Sequence, residues 1–246
     1  GRVAQAPVPA SARPCAAIAS ARAAEAEREG RHADALQHLR VVADGGGEFT
    51  LKDRYVFSVS CKQVFSAARE RWRAAEALGT AGAGTAEQAE LRRMQAREQL
   101  LEACCVAICI SEGQLRVTSS VEGQVFYLKS MADYLRYKAL WAQDAAKHIA
   151  KCKSRDCYAE AMASARGNIP SSHPLRVGLL LNYAVCMYDL FADIGEAIAI
   201  AEGALVDARA APARPCEAAY IEVAPLVAAL SENVREWKLV LASQQA

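Results

Sequence analysis

Glycine and proline are scarce in this sequence, at 14 and 8 of 246 residues. These two residues interrupt helices most strongly, so their scarcity, together with abundant Ala, Leu, Glu, Arg and Gln, favours helix throughout. No segment has the strict alternation of apolar and polar residues that is typical of a strand, and we find no internal repeat. We therefore predict an all-α fold, a bundle of about nine antiparallel helices.

Long apolar runs and a charge excess of one sign are also lacking. The most apolar run, residues 177–191, is interrupted by Asn182 and Asp189, and it is shorter than the ~20 residues that a bilayer-spanning helix needs. Lys and Arg number 29 against 28 Asp and Glu, a net charge of +1. We therefore expect neither a membrane nor a nucleic acid as partner, and any anion must be recognised by a local arrangement of cations.

Paired cysteine motifs are missing as well. The nine cysteines are an odd number, and none forms a Cys-x-x-Cys motif. Several lie in apolar helical patterns, which indicates buried free thiols in a reducing compartment, and we expect a cytoplasmic protein. The four histidines lie far in sequence from most cysteine pairs, so we predict no metal site and no cofactor.

The helices are predicted from apolar periodicity and from cap residues. The nine segments are 14–29, 31–43, 50–78, 85–112, 119–145, 156–166, 173–191, 195–208 and 217–241. Thr50 is a predicted N-cap with Asp53 as its partner, and His173-Pro174 opens the seventh helix. Pro225 fits only near the start of the ninth helix or as a kink. Residues 1–24 contain arginines and no acid, which suits a targeting peptide or a disordered leader.

The segment Val125–Tyr137 has two faces when it is read as a helix. Val125, Leu128, Ala132, Leu135 and Ala139 form an apolar stripe at steps of three and four. Another side carries the polar residues Lys129, Asp133, Arg136 and Tyr137. Taken alone, this pattern is typical of an ordinary amphipathic helix with a solvated charged face. A helix that presents lysine, arginine and a phenol together can also bind an anionic ligand, but this segment alone favours the solvated face.

Three other predicted helices carry polar stripes of their own. On the third, Lys62 and Arg69 are seven residues apart, hence on one side. On the seventh, Asn182 and Asp189 share a side, and on the ninth Asn233 and Trp237 are one turn apart.

These helices resemble those of the 14-3-3 family of phosphoserine- and phosphothreonine-binding adapters. The resemblance covers most of the chain, and from Lys129 to Trp237 it needs no insertion or deletion. The matching residues are Arg54, Ser58, Val59, Lys62, Val64, Arg69, Trp72 and Arg73 on the third helix, Val125–Lys129, Asp133, Tyr134, Arg136 and Tyr137 on the fifth, His173, Pro174, Arg176, Gly178, Leu181, Asn182 and Val185 on the seventh, and Tyr220, Leu230, Asn233 and Trp237 on the ninth.

The resemblance implies a concave groove that binds phosphorylated client proteins. Its phosphate pocket would consist of Lys62, Arg69, Arg136 and Tyr137. Two guanidinium groups, one ammonium and a phenol suit a phosphate that carries about −1.5 to −2 charges. The residues that would contact the rest of the peptide are Lys129, Leu181, Asn182, Val185, Asp189, Leu226, Asn233 and Trp237. Asp133, one turn from Lys129 and Tyr137, is predicted to orient the basic groups rather than to touch the ligand.

The sequence also departs from the family pattern. Asp189 stands where the family has Glu, Ala229 and Glu236 stand where it has Leu, and Pro225 interrupts the ninth helix. These changes keep open an alternative in which a diverged 14-3-3-like scaffold binds unphosphorylated partners. Catalysis needs a nucleophile with a base, or a metal. We interpret Cys104, Cys105 and Cys109 as core and His173 as a cap, so we predict that the protein is not an enzyme.

The resemblance further implies one helical domain and a homodimer. We predict a flexible leader over residues 1–13 and a single domain over 14–246, of which residues 14–49 form the dimerisation region and residues 50–246 the groove. Arg31 and Asp34 fit the family's dimer interface. Uncharged partners on the fourth helix (Gln95 and Gln99) and acids on the first (Glu25 and Glu29) would weaken it.

Overall fold

A computed structural model describes residues 12–80, 85–210 and 217–245. Within these ranges the chain forms nine α-helices and no strand, which confirms the all-α prediction. The helices are α1 (Ala12–Arg28), α2 (His32–Asp44), α3 (Leu51–Thr80), α4 (Ala86–Val117), α5 (Val121–Trp141), α6 (Asp144–Ala165), α7 (Pro174–Phe191), α8 (Ile194–Ala210) and α9 (Glu217–Gln245).

The chain divides into two compact units, residues 1–118 with α1–α4 and residues 119–246 with α5–α9. Each unit has buried apolar residues of its own, among them Leu39, Phe57 and Leu100 in the first and Tyr127, Leu179 and Leu230 in the second. The prediction of a single domain stays a prediction. Most of the predicted leader lies outside the described residues.

Side-chain caps and one buried amide organise the first unit. Thr50 and Asp53 cap each other at the start of α3, as the sequence predicts: the Thr50 backbone N–H donates to the Asp53 carboxylate (2.9 Å) and the Asp53 N–H donates to the Thr50 hydroxyl (3.2 Å). The Gln114 amide is fully buried; it accepts from the Phe49 N–H and donates to the Gly47 carbonyl. These bonds satisfy backbone groups of the α2–α3 connection.

In the second unit α5 packs on α6 and α7, and α7 packs on α8 and α9. The predicted apolar stripe of α5 is confirmed, since Val125, Leu128, Ala132, Leu135 and Ala139 are all buried. His173 caps α7 by accepting the Leu175 N–H, with Pro174 at the first helical position, as predicted. Pro225 lies inside α9, about two turns after Glu217.

Four predicted helix boundaries are wrong. Helix α5 ends at Trp141 instead of about Ala145, and α6 begins at Asp144 instead of Asp156. Helices α4 and α9 continue beyond their predicted ends, to Val117 and Gln245. Asp144, the first residue of α6, has a positive φ of 47°, outside the right-handed helical range, and this separates α5 from α6. Asp is one of the few non-glycine residues that tolerate this conformation. The basic segment after α5 is therefore helical and belongs to α6.

The thiols and histidines also differ in part from expectation. Cys61, Cys104 and Cys186 are buried, but Cys109 is exposed, so its assignment to the core is wrong. An apolar neighbourhood in sequence places a residue in a helix without fixing which side it faces. Among the described residues no three His, Cys, Asp or Glu side chains cluster as a metal site would require. In the same part of the chain, no helix is both long enough and apolar enough to cross a bilayer.

Candidate functional site

Arg136 brings a positive charge into the interior of the second unit. Its side chain is only 9% exposed, although it lies on the polar side of α5 with Lys129, Asp133 and Tyr137. The guanidinium lies 4.5 Å from the centre of the Tyr137 ring. Its Nη1 is 3.7 Å from the Asp189 Oδ2, an ion-pair distance too long for a hydrogen bond. The Arg136 Nε has no hydrogen-bond partner among the described residues.

The surroundings keep this cation charged. Burial by itself lowers the pKa of Arg136, but the neighbouring Tyr158, Tyr137 and Asp133 more than offset that effect, so the pKa is raised. Burial also raises the pKa of the Asp189 carboxyl, and Arg136 only partly offsets this. Asp189 is thus a poorly stabilised counter-ion for a buried arginine that has donor capacity to spare.

The Asp133 carboxylate joins α5, α6 and α7. Its Oδ2 accepts from the Lys129 Nζ at 2.8 Å, and its Oδ1 accepts from the Asn182 Nδ2, also at 2.8 Å. The same Oδ1 accepts from the hydroxyl of Tyr158. The predicted orienting role is therefore supported by direct bonds to Lys129 and Asn182, while the bond to Tyr158 involves a residue that the sequence did not indicate.

The interpretation of this face of α5 as a solvated charged surface is wrong. Arg136 is buried, and Lys129 and Asp133 are 21% and 14% exposed in their side chains. Helical periodicity places the four polar residues on one side of α5. It does not show that two other helices cover that side. Tyr158 escaped notice for the same reason, since its segment reads as an ordinary short helix and only packing brings it to Asp133.

Helices α7 and α9 supply the apolar side of the site. Leu181, Val185 and Leu226 are each half-buried. At Gly178 the position of a Cβ atom would lie 3.7 Å from both the Leu226 Cδ1 and the Lys129 Cε. Both distances are ordinary van der Waals contacts, so a Cβ atom at Gly178 would fit against Leu226 and Lys129, and the contacts show that these two side chains lie beside α7.

The remaining predicted residues of α9 differ in exposure. Asn233 is half-buried, and Trp237 is 5% exposed, with its ring stacked on Tyr188 at 5.0 Å. Among the positions that depart from the family pattern, Ala229 is half-buried and Glu236 is exposed. Leu230 is fully buried and belongs to the core.

Lys62 and Arg69 lie in the first unit, exposed on α3. Phe57, Cys61 and Ala68 of the same helix are buried, so α3 presents its cations away from its core as predicted. The grouping of these two cations with Arg136 and Tyr137 stays a prediction from the family resemblance.

The sequence matches known proteins over most of its length. A family model described as "14-3-3 protein" matches residues 22–238. The chain belongs to the 14-3-3 family. Among its relatives, 14-3-3 protein 2 of Entamoeba histolytica is 29% identical over 86% of this chain and 91% of that protein. A 14-3-3-like protein F of Nicotiana tabacum is 27% identical over 87% and 86% of the two chains, and 14-3-3 protein zeta of Bombyx mori is 28% identical over 88% and 89%.

These identities make the chain a divergent 14-3-3 protein. The family consists of non-enzymatic adapter proteins, which bind phosphorylated client proteins and form dimers. Membership therefore supports an adapter-type role in phosphopeptide binding.

Proposed function

We propose that this protein is a non-enzymatic adapter that binds phosphoserine or phosphothreonine segments of client proteins. The observation that carries the proposal is the buried Arg136 guanidinium, whose Nε has no hydrogen-bond partner among the described residues and whose counter-ion lies 3.7 Å away. A buried cation with unfilled donors is costly unless a better anion arrives. A phosphate monoester supplies two negative charges and several acceptors, more than Asp189 does.

The phosphate pocket in this proposal consists of Lys62, Arg69, Arg136 and Tyr137. Planar guanidinium groups bind phosphate through two parallel hydrogen bonds, and lysine adds a point charge. An unphosphorylated hydroxyl would leave the cations of this proposed pocket without an anion. Each charge-assisted bond contributes about 1.5–3 kcal/mol, so the four side chains should discriminate strongly between a peptide and its phosphorylated form.

The rest of the peptide would lie along the groove-forming helices. Asn182 and Asn233 suit the backbone of an extended segment, because each amide both donates and accepts. Lys129 would lie farther along, with Leu181, Val185 and Leu226 as the apolar wall. The burial of Trp237 in a stack with Tyr188 supports an anchoring role for its ring, with the indole N–H as the predicted donor to the peptide.

A second candidate function is a diverged scaffold for unphosphorylated partners. It is favoured by Glu236, an exposed acid, and by Ala229, where the family has leucine on the apolar wall. An acid at this wall would oppose an acidic ligand and select for a basic or polar residue beside it.

The proposed adapter works as a homodimer in the cytoplasm.

Fluorescence anisotropy with two matched peptides tests the proposal. One carries phosphoserine and an upstream arginine, and its twin carries serine. We expect micromolar or tighter binding of the first and at least ~100-fold weaker binding of the second, about 2.7 kcal/mol. Equal affinities would contradict the adapter function and favour the scaffold.

Two substitutions at Arg136 show whether the pocket is correctly assigned. Arg136→Met removes the charge but retains much of the length, so it should abolish most of the discrimination between the two peptides. Arg136→Lys retains the charge without the planar fork, and about a tenfold loss of phosphopeptide affinity is expected. Circular dichroism of both variants should retain the helical signal. Full discrimination by Arg136→Met would place the phosphate elsewhere.

A further inference from the structure

We propose that Tyr158 positions the peptide-binding residues Asn182 and Lys129 by holding the carboxylate of Asp133. The inference rests on the proposed function for its ligand but on internal contacts of the second unit for its geometry. Tyr158 lies on α6, and nothing in the predicted site includes it. It acts through Asp133 and does not touch the ligand, so it is a positioning residue.

The position of the Tyr158 hydroxyl is fixed by packing. The side chain is fully buried, and its ring stacks on Tyr183 of α7 with centres 5.5 Å apart and planes at 24°. Burial, with Asp133 adding to it, raises the pKa of Tyr158 well above its ordinary value. The hydroxyl therefore keeps its proton and donates a hydrogen bond to the Asp133 Oδ1.

That bond determines where the Asp133 oxygens point. With the Oδ1 held by α6, the same oxygen accepts from the Asn182 Nδ2 and the Oδ2 accepts from the Lys129 Nζ, each at 2.8 Å. The Asn182 amide is thereby oriented with its nitrogen toward Asp133. Its Oδ1 is left to accept a backbone N–H of the ligand, and the Lys129 ammonium has two further protons for a ligand acceptor.

Removal of the Tyr158 hydroxyl would free one acceptor position on a partly buried carboxylate. The Asp133 carboxylate would then be held by side chains of α5 and α7 only and could rotate about its side-chain bonds, so the Asn182 amide would lose its fixed orientation. Arg136 would lose the Tyr158 hydroxyl as one of the neighbours that raise its pKa, but it would keep Tyr137 and the charge of Asp133 and should be affected less. Loss should thus concentrate on contacts with the peptide backbone rather than on phosphate recognition.

The substitution Tyr158→Phe tests this and leaves the stacked ring in place. Phosphopeptide affinity, measured by fluorescence anisotropy, should fall about tenfold, as expected for one misplaced charge-assisted hydrogen bond. The matched control is Tyr183→Phe, which removes a hydroxyl from the same stacked pair but not from Asp133, and its affinity should stay within about twofold of wild type. Unchanged affinity in a folded Tyr158→Phe protein would overturn the proposal.

A double-mutant cycle separates positioning from general support of the fold. In an Asn182→Ala, Lys129→Gln background, Tyr158→Phe should cause at most about a twofold further loss of affinity, because both side chains that Asp133 positions are gone and only the interaction of Tyr158 with Arg136 remains to be lost. Losses that add in both backgrounds would show a structural role only and would overturn the proposal. If Tyr158→Phe does not fold, the wild-type protein still tests the proposal: the buried Tyr158 hydroxyl proton, held by Asp133, should exchange slowly enough to give an NMR resonance, and a rapidly exchanging hydroxyl would overturn the proposal.

A measurement without ligand keeps this inference distinct from the proposed function. In ¹⁵N-labelled protein, the side-chain NH₂ of Asn182 should exchange slowly with solvent because it donates to Asp133, and Tyr158→Phe should speed this exchange several-fold. This result is expected even if wild-type protein fails to distinguish phosphorylated from unphosphorylated peptide. Unchanged exchange at Asn182 in the variant would refute the positioning role by itself.

Discussion

The ion pair between Arg136 and Asp189 combines a well-buried cation with a carboxylate that is 38% exposed in its side chain. Burial makes the pKa of Asp189 higher in the folded protein than in the unfolded chain. The folded state therefore holds this proton more tightly, and the contribution of Asp189 to stability decreases as the pH rises above the unfolded value, about 3.9. Below that value the residue is neutral in both states and the effect vanishes.

Asp189→Asn should consequently become more stable relative to wild type as the pH rises. We expect similar thermal midpoints for the two proteins at about pH 3 and a modestly higher midpoint for the variant at about pH 7, because the amide cannot ionise. Thermal unfolding followed by circular dichroism at both pH values measures this. If the variant's thermal midpoint instead fell relative to that of wild type on going to neutral pH, the attraction between Asp189 and Arg136 would outweigh the cost of burying the Asp189 charge.

Residue identities near the site were more predictable than their environments. The pattern Lys129, Asp133, Arg136 and Tyr137 is visible in sequence because helical spacing places these residues on one side of α5. The burial of Arg136 is not visible in the sequence, because it depends on α6 and α7 covering that side of α5. The bonds of the Asp133 carboxylate to Lys129, Asn182 and Tyr158, which we call the Asp133 junction, likewise form only when three helices are packed together.

Among the elements, the turn between α7 and α8 stores backbone strain. Ala192 ends α7 with a left-handed φ of 53° and ψ of 24°, and it is exposed. An L-residue with a Cβ atom is disfavoured here, and glycine is the residue that helices most often place at such an end.

Ala192→Gly should stabilise the protein by about 1 kcal/mol, or raise the thermal midpoint by about 2–4 °C. The matched control is Ala199→Gly, at an exposed position inside α8, where the same change should cost about 1 kcal/mol. Urea titrations of both variants give the two free energies. Destabilisation by both substitutions would show that the left-handed geometry at Ala192 carries no strain.

Helix existence followed from the sequence, but several boundaries did not. Thr50 and His173 indicate the starts of α3 and α7 in the sequence, because each side chain accepts a hydrogen bond from a backbone N–H of the first turn. The start of α6 has no such signal: Gln143 at its N-cap position makes no side-chain cap bond, and Asp144 adopts a left-handed φ. An amphipathic pattern that continues across 142–143 hides a break of this kind.

At the scale of the whole molecule, the predicted homodimer depends on the first two helices. Arg31 bonds to Asp34 and Glu29 of its own chain, at 2.6 Å to each carboxylate. Glu25 is exposed on α1, where an unpaired acid would oppose the burial of an interface. The charges of this region are thus either neutralised within one chain or unfavourable to association.

Sedimentation equilibrium should show a homodimer, and Glu25→Ala should tighten it about fivefold, or by about 1 kcal/mol. The control Glu160→Ala, an exposed acid on α6, should leave the dissociation constant unchanged. A wild-type monomer at tens of micromolar would contradict the homodimer, and no effect of Glu25→Ala would place the interface away from α1.

The Asp133 junction also limits how this chain can evolve. Its carboxylate is at once a tie between three helices and the support of two predicted ligand-binding side chains, so a substitution there costs folded protein and function together. A substitution can change binding without loss of stability only at a position that does not also support the fold, such as the exposed Glu236. Among relatives that are 26–29% identical to this chain, we therefore expect replacements more often at exposed positions such as Glu236 than at the centre of the second unit.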